Sequence, residues 1–133
     1  MDESFLEQAR EWFERGDHDL EGARILVEAR GYTDVIGMLI QQAVEKYLKG
    51  YLVFFGIKPP KVHELDFLLH QVEIFDHSLD SFIDFCEKTT RYYLEDRYPP
   101  GPAVIYSRRD IQDGLDTAYD LIRIIKEKVG LEK

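Results

Sequence analysis

The sequence predicts an all-α fold, an antiparallel up-and-down bundle of four principal helices plus one short helix. Three observations carry this expectation. Apolar residues recur at three- and four-residue steps along most of the chain, and no stretch alternates strictly as a half-buried strand would. Prolines and punctuating glycines fall in brief intervals that divide the chain into helix-length pieces. The interval between the first two pieces is very short, which makes them antiparallel neighbours. The length of 133 residues suits one domain spanning 1–133, and a composition of 44% hydrophobic and 13% aromatic residues can fill its core.

The first helix is expected over residues 2–30, where Phe5, Ala9, Trp12, Leu20, Ala23 and Val27 share a face. Gly16 lies inside that pattern and Asp17 follows it, so a kink or a restarted helix is expected there. Gly31 ends the element as a C-terminal glycine. The second helix, Tyr32–Gly56, organises the rest. Its apolar residues step by four, at 32, 36, 40, 44, 48 and 52 and again at 35, 39, 43, 47, 51 and 55. An α-helix turns in about 3.6 residues, so each step overshoots by roughly 40° and five steps wind the stripe by about 200°. A helix with such a stripe meets different neighbours along its length, which places it at the bundle centre. Its polar remainder is Gln41, Gln42, Glu45, Lys46 and Lys49.

Pro59-Pro60 stops this helix. A third is expected near His63–Phe75 and a fourth from about Leu79 to Tyr93 or beyond, with Asp76-His77-Ser78 as the break between them. Residues 94–107 hold three prolines and a glycine and are expected to form a loop. Ser107 is a good N-cap for a last helix running to about Val129 on Ile111, Leu115, Ala118, Ile122 and Ile125.

Composition removes several function classes. Cys86 is the single cysteine, so no intramolecular disulfide or paired-cysteine metal site can form. No HExxH is present, and the dispersed glycines exclude a phosphate-cradling loop. We expect no metal and no cofactor. The charged start and the short apolar runs predict neither a signal peptide nor a membrane span, so a cytoplasmic protein is expected. The net charge of −9 disfavours an extended nucleic-acid track. Two islands depart from it. Residues 40–62 carry four lysines against one glutamate, and residues 91–109 carry four arginines against two acids.

These islands hold the candidate binding residues. Lys46 and Lys49 stand three apart on the central helix, with Gln42 and Glu45 beside them, a set able to hold a phosphate and a base edge. Arg91, Arg97 and Tyr98 flank the Pro-rich loop, where arginine can grip a phosphate and tyrosine can stack on a base. The alternatives are structural: lysines that only snorkel from a buried helix, Arg97 tying the loop to a carboxylate, and Tyr98 packing into the core. His63, at the start of the third helix, reads as a structural or capping residue.

The stretch QQAVEKYLKGYL, then a Gly/Pro turn and HELDFLL, then a late RYP before the last helix, resembles the HEPN domain family from about Trp12 to Val129. The resemblance implies a helical-bundle module, a homodimer, and one of two activities. In one branch the module binds a nucleotide and works with a separately encoded minimal nucleotidyltransferase, as a toxin–antitoxin-like pair. In the other it is a metal-independent ribonuclease whose site is an arginine followed, after four to six residues, by a histidine. None of His18, His63, His70 and His77 has an arginine at that distance upstream. The nearest remnant is Arg91, six residues, then Tyr98, and a tyrosine with a reference pKa near ~10 is a poor general base at neutral pH. We therefore expect a non-catalytic nucleotide-binding module, with Gln42, Lys46, Lys49, Arg91, Arg97 and Tyr98 as its contacts. RNA is a ligand only under the ribonuclease alternative, and a purely structural docking dimer is the third possibility.

Overall fold

The computed structural model describes residues 3–96 and 106–131, with side chains for 5–92 and 106–131. The helices are α1 (Glu3–Glu28), α2 (Thr33–Phe54), α3 (Leu65–Glu73), α4 (Ile83–Asp96) and α5 (Arg108–Val129), with a single 3-10 turn at Asp80–Phe82 leading into α4. No strand occurs among the described residues. The all-α bundle predicted from periodicity is what forms, and α2 packs against α1, α3, α4 and α5 alike. The winding of its apolar stripe is visible in what it buries. Early in α2 the buried residues fall on one side, but from Tyr47 to Val53 all seven residues are buried.

Two glycine contacts set the α1–α2 seam. A Cβ on Gly16 would lie 2.8 Å from the Tyr47 ring, and one on Gly50 would lie 2.6 Å from the Phe13 ring. The two rings stack at 4.8 Å between centroids, so the helices approach as closely as the missing side chains allow. Gly16 therefore does not break or restart the helix; α1 is continuous through it, and the Asp17 carboxylate accepts a hydrogen bond from the Tyr47 hydroxyl.

Helix ends follow capping rules with one displacement. Gly56 and Gly130 adopt φ of 83° and 82°, the left-handed conformation that closes α2 and α5. At the end of α1 the left-handed residue is Arg30, φ 56°, and Gly31 is the next residue, its N–H donating to the Leu26 carbonyl at 2.8 Å. The expected terminating glycine is thus one position late. A Cβ on Gly31 would meet the Leu26 side chain at 3.0 Å, which accounts for glycine there. The Arg108 guanidinium donates to the carbonyls of Arg30 and Gly31 at 3.0 and 3.2 Å, fastening the start of α5 to the α1–α2 turn. Ser107 caps α5 as expected, its Oγ accepting from the Asp110 N–H at 3.0 Å. Residues 94–96, expected in the loop, extend α4 instead. The first proline comes only at 99, and its bias against helix acts on the residue before it.

Candidate functional site

The polar remainder of α2 separates into two groups that face different neighbours. Lys46 pairs with Asp19 of α1, Nζ to Oδ2 at 2.5 Å. Lys49 lies further along and is almost wholly buried, with 8% of its side chain exposed. Its ammonium reaches back one turn to Glu45 Oε2 at 3.0 Å and sits 5.9 Å from the centre of the Trp12 ring. The sequence put Lys46 and Lys49 in one set able to hold a phosphate; in the structure each ammonium has its own carboxylate partner. Three residues apart they do share a side of the helix, but each ammonium is drawn to its own carboxylate. Gln42 takes no part in the hydrogen bonds of either group.

The second group is a connected cluster. Gln41, Glu45 and Lys49 step by four along α2 and form a polar stripe in a helix otherwise packed with apolar residues. Gln41 is fully buried, and its Nε2 donates both to Glu45 Oε1 at 3.0 Å and to the His63 carbonyl at 2.9 Å. Its Oε1 is buried with no hydrogen-bond partner, the sole such side-chain atom among the described residues. The His63 ring completes the cluster, Nδ1 lying 3.1 and 3.2 Å from the two Glu45 oxygens. A carboxylate only accepts, so that nitrogen carries the proton. The Glu45 side chain is 12% exposed and that of His63 49%, so the imidazole is the part of the cluster that solvent reaches.

Helix α4 lies alongside. Thr90 Oγ1 accepts the Leu65 N–H at 2.8 Å and donates to the Cys86 carbonyl at 2.9 Å. This bond takes the place of a side-chain cap for α3. The helix starts at Leu65, two residues later than His63, and its N-cap Glu64 makes no side-chain cap bond. His63 therefore does not cap. Arg91 follows Thr90 on the exposed side of α4, about 100° further round the helix. Among the described residues Arg91 has no ion-pair partner. Arg97 and Tyr98 lie outside the described residues.

Cys86 is buried beneath this junction, and burial, then the charges of Asp66 and Glu87, push its thiol up to about 12. It is a packing residue and not a nucleophile. No group of three or more potential metal ligands occurs among the described residues, and no helix of them is long and apolar enough to cross a membrane. A shallow groove of about 520 Å³ separates α1 from α5, with Leu20, Tyr119 and Ile122 in its lining and acids and bases intermixed around them. It gathers no convergent polar set.

Sequence reasoning had Glu45, Lys49 and Arg91 in view and read His63 as structural or capping; the bond between His63 and Glu45 was not foreseen. The signal was the four-residue polar step 41–45–49 on an apolar helix, which requires a partner from elsewhere in the chain to satisfy it.

Comparison with known proteins places the chain. The HEPN domain model matches residues 9–128. The toxin candidate MJ1304 of Methanocaldococcus jannaschii is 26% identical over 145 residues, covering 96% of this chain and 95% of that protein. The crystal structure of TT1696 from Thermus thermophilus superposes with a TM-score of 0.74 at 26% identity, over 91% of this chain and 98% of that one. The archaeal HEPN homologue ST0689 gives a TM-score of 0.72 at 23% identity, over 91% and 97%, a likeness of fold.

Proposed function

The chain belongs to the HEPN domain family, and on that premise we propose that it is the HEPN member of a toxin–antitoxin-like pair. In this reading it is a cytoplasmic homodimer that binds a nucleotide and works with a separately encoded minimal nucleotidyltransferase. The observation that carries the reading is likeness along nearly the whole chain to a toxin candidate of similar length. Arg91, with Arg97 and Tyr98 beyond the described residues, is the proposed nucleotide contact. Gln42, Lys46 and Lys49, proposed with them from the sequence, have a weaker claim, because the ammonium groups of Lys46 and Lys49 are already matched by carboxylates of the same chain. Calorimetric titration with a panel of nucleotides, alongside light scattering for mass, tests this. A dimer that takes up one nucleotide class is expected. A monomer that takes up none overturns the reading.

The same likeness favours a second reading, a metal-independent endoribonuclease centred on Arg91 and Tyr98. It predicts cleavage of RNA in chelator by the wild-type protein and none by Arg91→Ala. Intact RNA with both proteins removes it.

A further inference from the structure

We infer that the groove between α4 and α5 binds an organic ammonium group, held by the Asp84 and Asp113 carboxylates and the Tyr92 hydroxyl. The inference is independent of the nucleotide-binding reading above. Asp84, Lys88 and Tyr92 step by four along α4 and share one side of it. With Asp110, Asp113 and Gly114 of α5 they line a groove of about 230 Å³. Three carboxylates there stand against one ammonium. Lys88 Nζ lies 3.9 Å from Asp110 Oδ1, the outer limit of an ion pair, and both side chains are more than half exposed, so the pairing is weak. The carboxylates of Asp84 and Asp113 have no partner among the described residues.

Acidic side chains alone would only gather ions loosely. Tyr92 makes the groove a built site. The residue is 2% exposed, yet its hydroxyl makes no hydrogen bond among the described residues. Two glycines fix the direction of the side chain. A Cβ on Gly37 of α2 would lie 3.1 Å from Cγ at the base of the Tyr92 ring, and a Cβ on Gly114 would lie 3.9 Å from the hydroxyl. The ring therefore leaves α4, passes α2 and ends at α5 in the groove. Gln41 Oε1 is the sole unpartnered side-chain atom sealed from solvent among the described residues, so what exposure Tyr92 retains reaches its hydroxyl. Burial, then the charge of Asp110, raises the phenol above its usual value, and it meets a ligand as a neutral hydroxyl.

An ammonium brings three N–H donors and a positive charge to a groove that offers carboxylate and hydroxyl oxygens. The half-buried Phe85 in the lining covers the methylenes attached to it. A metal ion is the wrong ligand, because it needs several oxygens around one point and no such group occurs among the described residues. The ammonium can belong to a free amine or to a lysine side chain of another protein.

Calorimetric titration of the full chain with putrescine tests the site, with uncharged 1,4-butanediol as control and N-acetyl-lysine amide as the protein-like probe. At least one of the two amines is expected to bind at low salt, and the diol at least tenfold more weakly. The tighter of the two amines identifies the source. Tyr92→Phe should weaken that amine by about tenfold, the effect of losing one hydrogen bond to a charged group. Its melting curve should match wild type, since the hydroxyl has no partner in the chain. Asp84→Asn and Asp113→Asn, both at exposed positions, should each weaken the amine by about threefold. Asp116→Asn, on α5 outside the groove and bonded to Gln112, should stay within about 1.5-fold. Weakening by the two groove carboxylate variants without weakening by Tyr92→Phe would reduce the effect to diffuse surface charge and overturn the site. Diol bound as tightly as the amines overturns the cationic class. Neither amine binding, or binding unchanged in all three groove variants, overturns the inference outright.

Discussion

The two sides of α2 are built on opposite terms. Against α1 the helix uses glycines and aromatics: Gly16 beneath the Tyr47 ring, Gly50 beneath Phe13, the rings stacked between them. Away from those glycines it uses charge and amides: Gln41 and Glu45 meet His63 in the segment ahead of α3, Lys49 lies over the Trp12 ring, and one acceptor is left unsatisfied. The first side is close-packed contact and draws its stability from shape. The second gives up stability for a fixed arrangement of polar groups, which is the usual mark of a place where something binds.

The sharpest test of that contrast sets two carboxylates side by side. Glu45→Ala strands the buried Lys49 ammonium and should cost about 3–5 kcal/mol, whereas Asp19→Ala, which releases the more exposed Lys46, should cost about 1 kcal/mol or less. Chemical denaturation of both variants checks it, and equal losses would erase the distinction between the two lysines. On the packed side, Gly50→Ala forces a methyl against Phe13 and the Trp12 Cβ and should lower stability by about 2 kcal/mol despite alanine's better helix propensity. A neutral result would mean that the seam yields easily and is not shaped by its glycines.

A third test uses pH. The Tyr51 hydroxyl of α2 donates to Asp76, just beyond α3, at 2.6 Å. Burial works to raise the Asp76 pKa, but hydrogen bonds from Tyr51 and Ser78 outweigh it and hold the carboxyl below its usual value. A depressed carboxylate stabilises the fold above its unfolded pKa, near ~4, and that contribution is lost as pH falls through the lower folded value. Tyr51→Phe should therefore cost about 1–2 kcal/mol at pH 7 and flatten the acid limb of the stability profile below about pH 4. An unchanged acid limb would assign the acid sensitivity elsewhere. The smallest effect is expected at the turn that starts the α1–α2 seam. Arg30→Gly relieves the left-handed backbone and should add about 0.5 kcal/mol to stability, read as a small rise in Tm.

The fold was legible because it depends on local pattern. The four-residue step in α2 announced a helix with neighbours on every side, and Ser107 announced the start of α5. What periodicity could not show was which partner each polar side chain chooses. Lys46 and Lys49 look equivalent at three residues apart, and only the positions of Asp19 on α1 and Glu45 on α2 separate them. His63 follows a proline-rich turn, and its meeting with Glu45 depends on how that turn brings the chain back to α2, which no spacing in the sequence records. Gly16 misled for a related reason. Its purpose lies on another helix, at Tyr47, and within its own segment it looks like a breaker.

Arg108 carries a consequence for the order of assembly. Its guanidinium closes on carbonyls 77 and 78 residues earlier in the chain, while the α1–α2 hairpin it fastens is made of near neighbours in sequence. Loop closure grows costlier with length, by about 0.6 kcal/mol per doubling, so the hairpin can condense before α5 arrives. Arg108 then acts late, as a latch on a hairpin already formed. In hydrogen exchange this appears as slow amides in the middle of α1 and α2, with α5 the helix that opens first and opens as a unit.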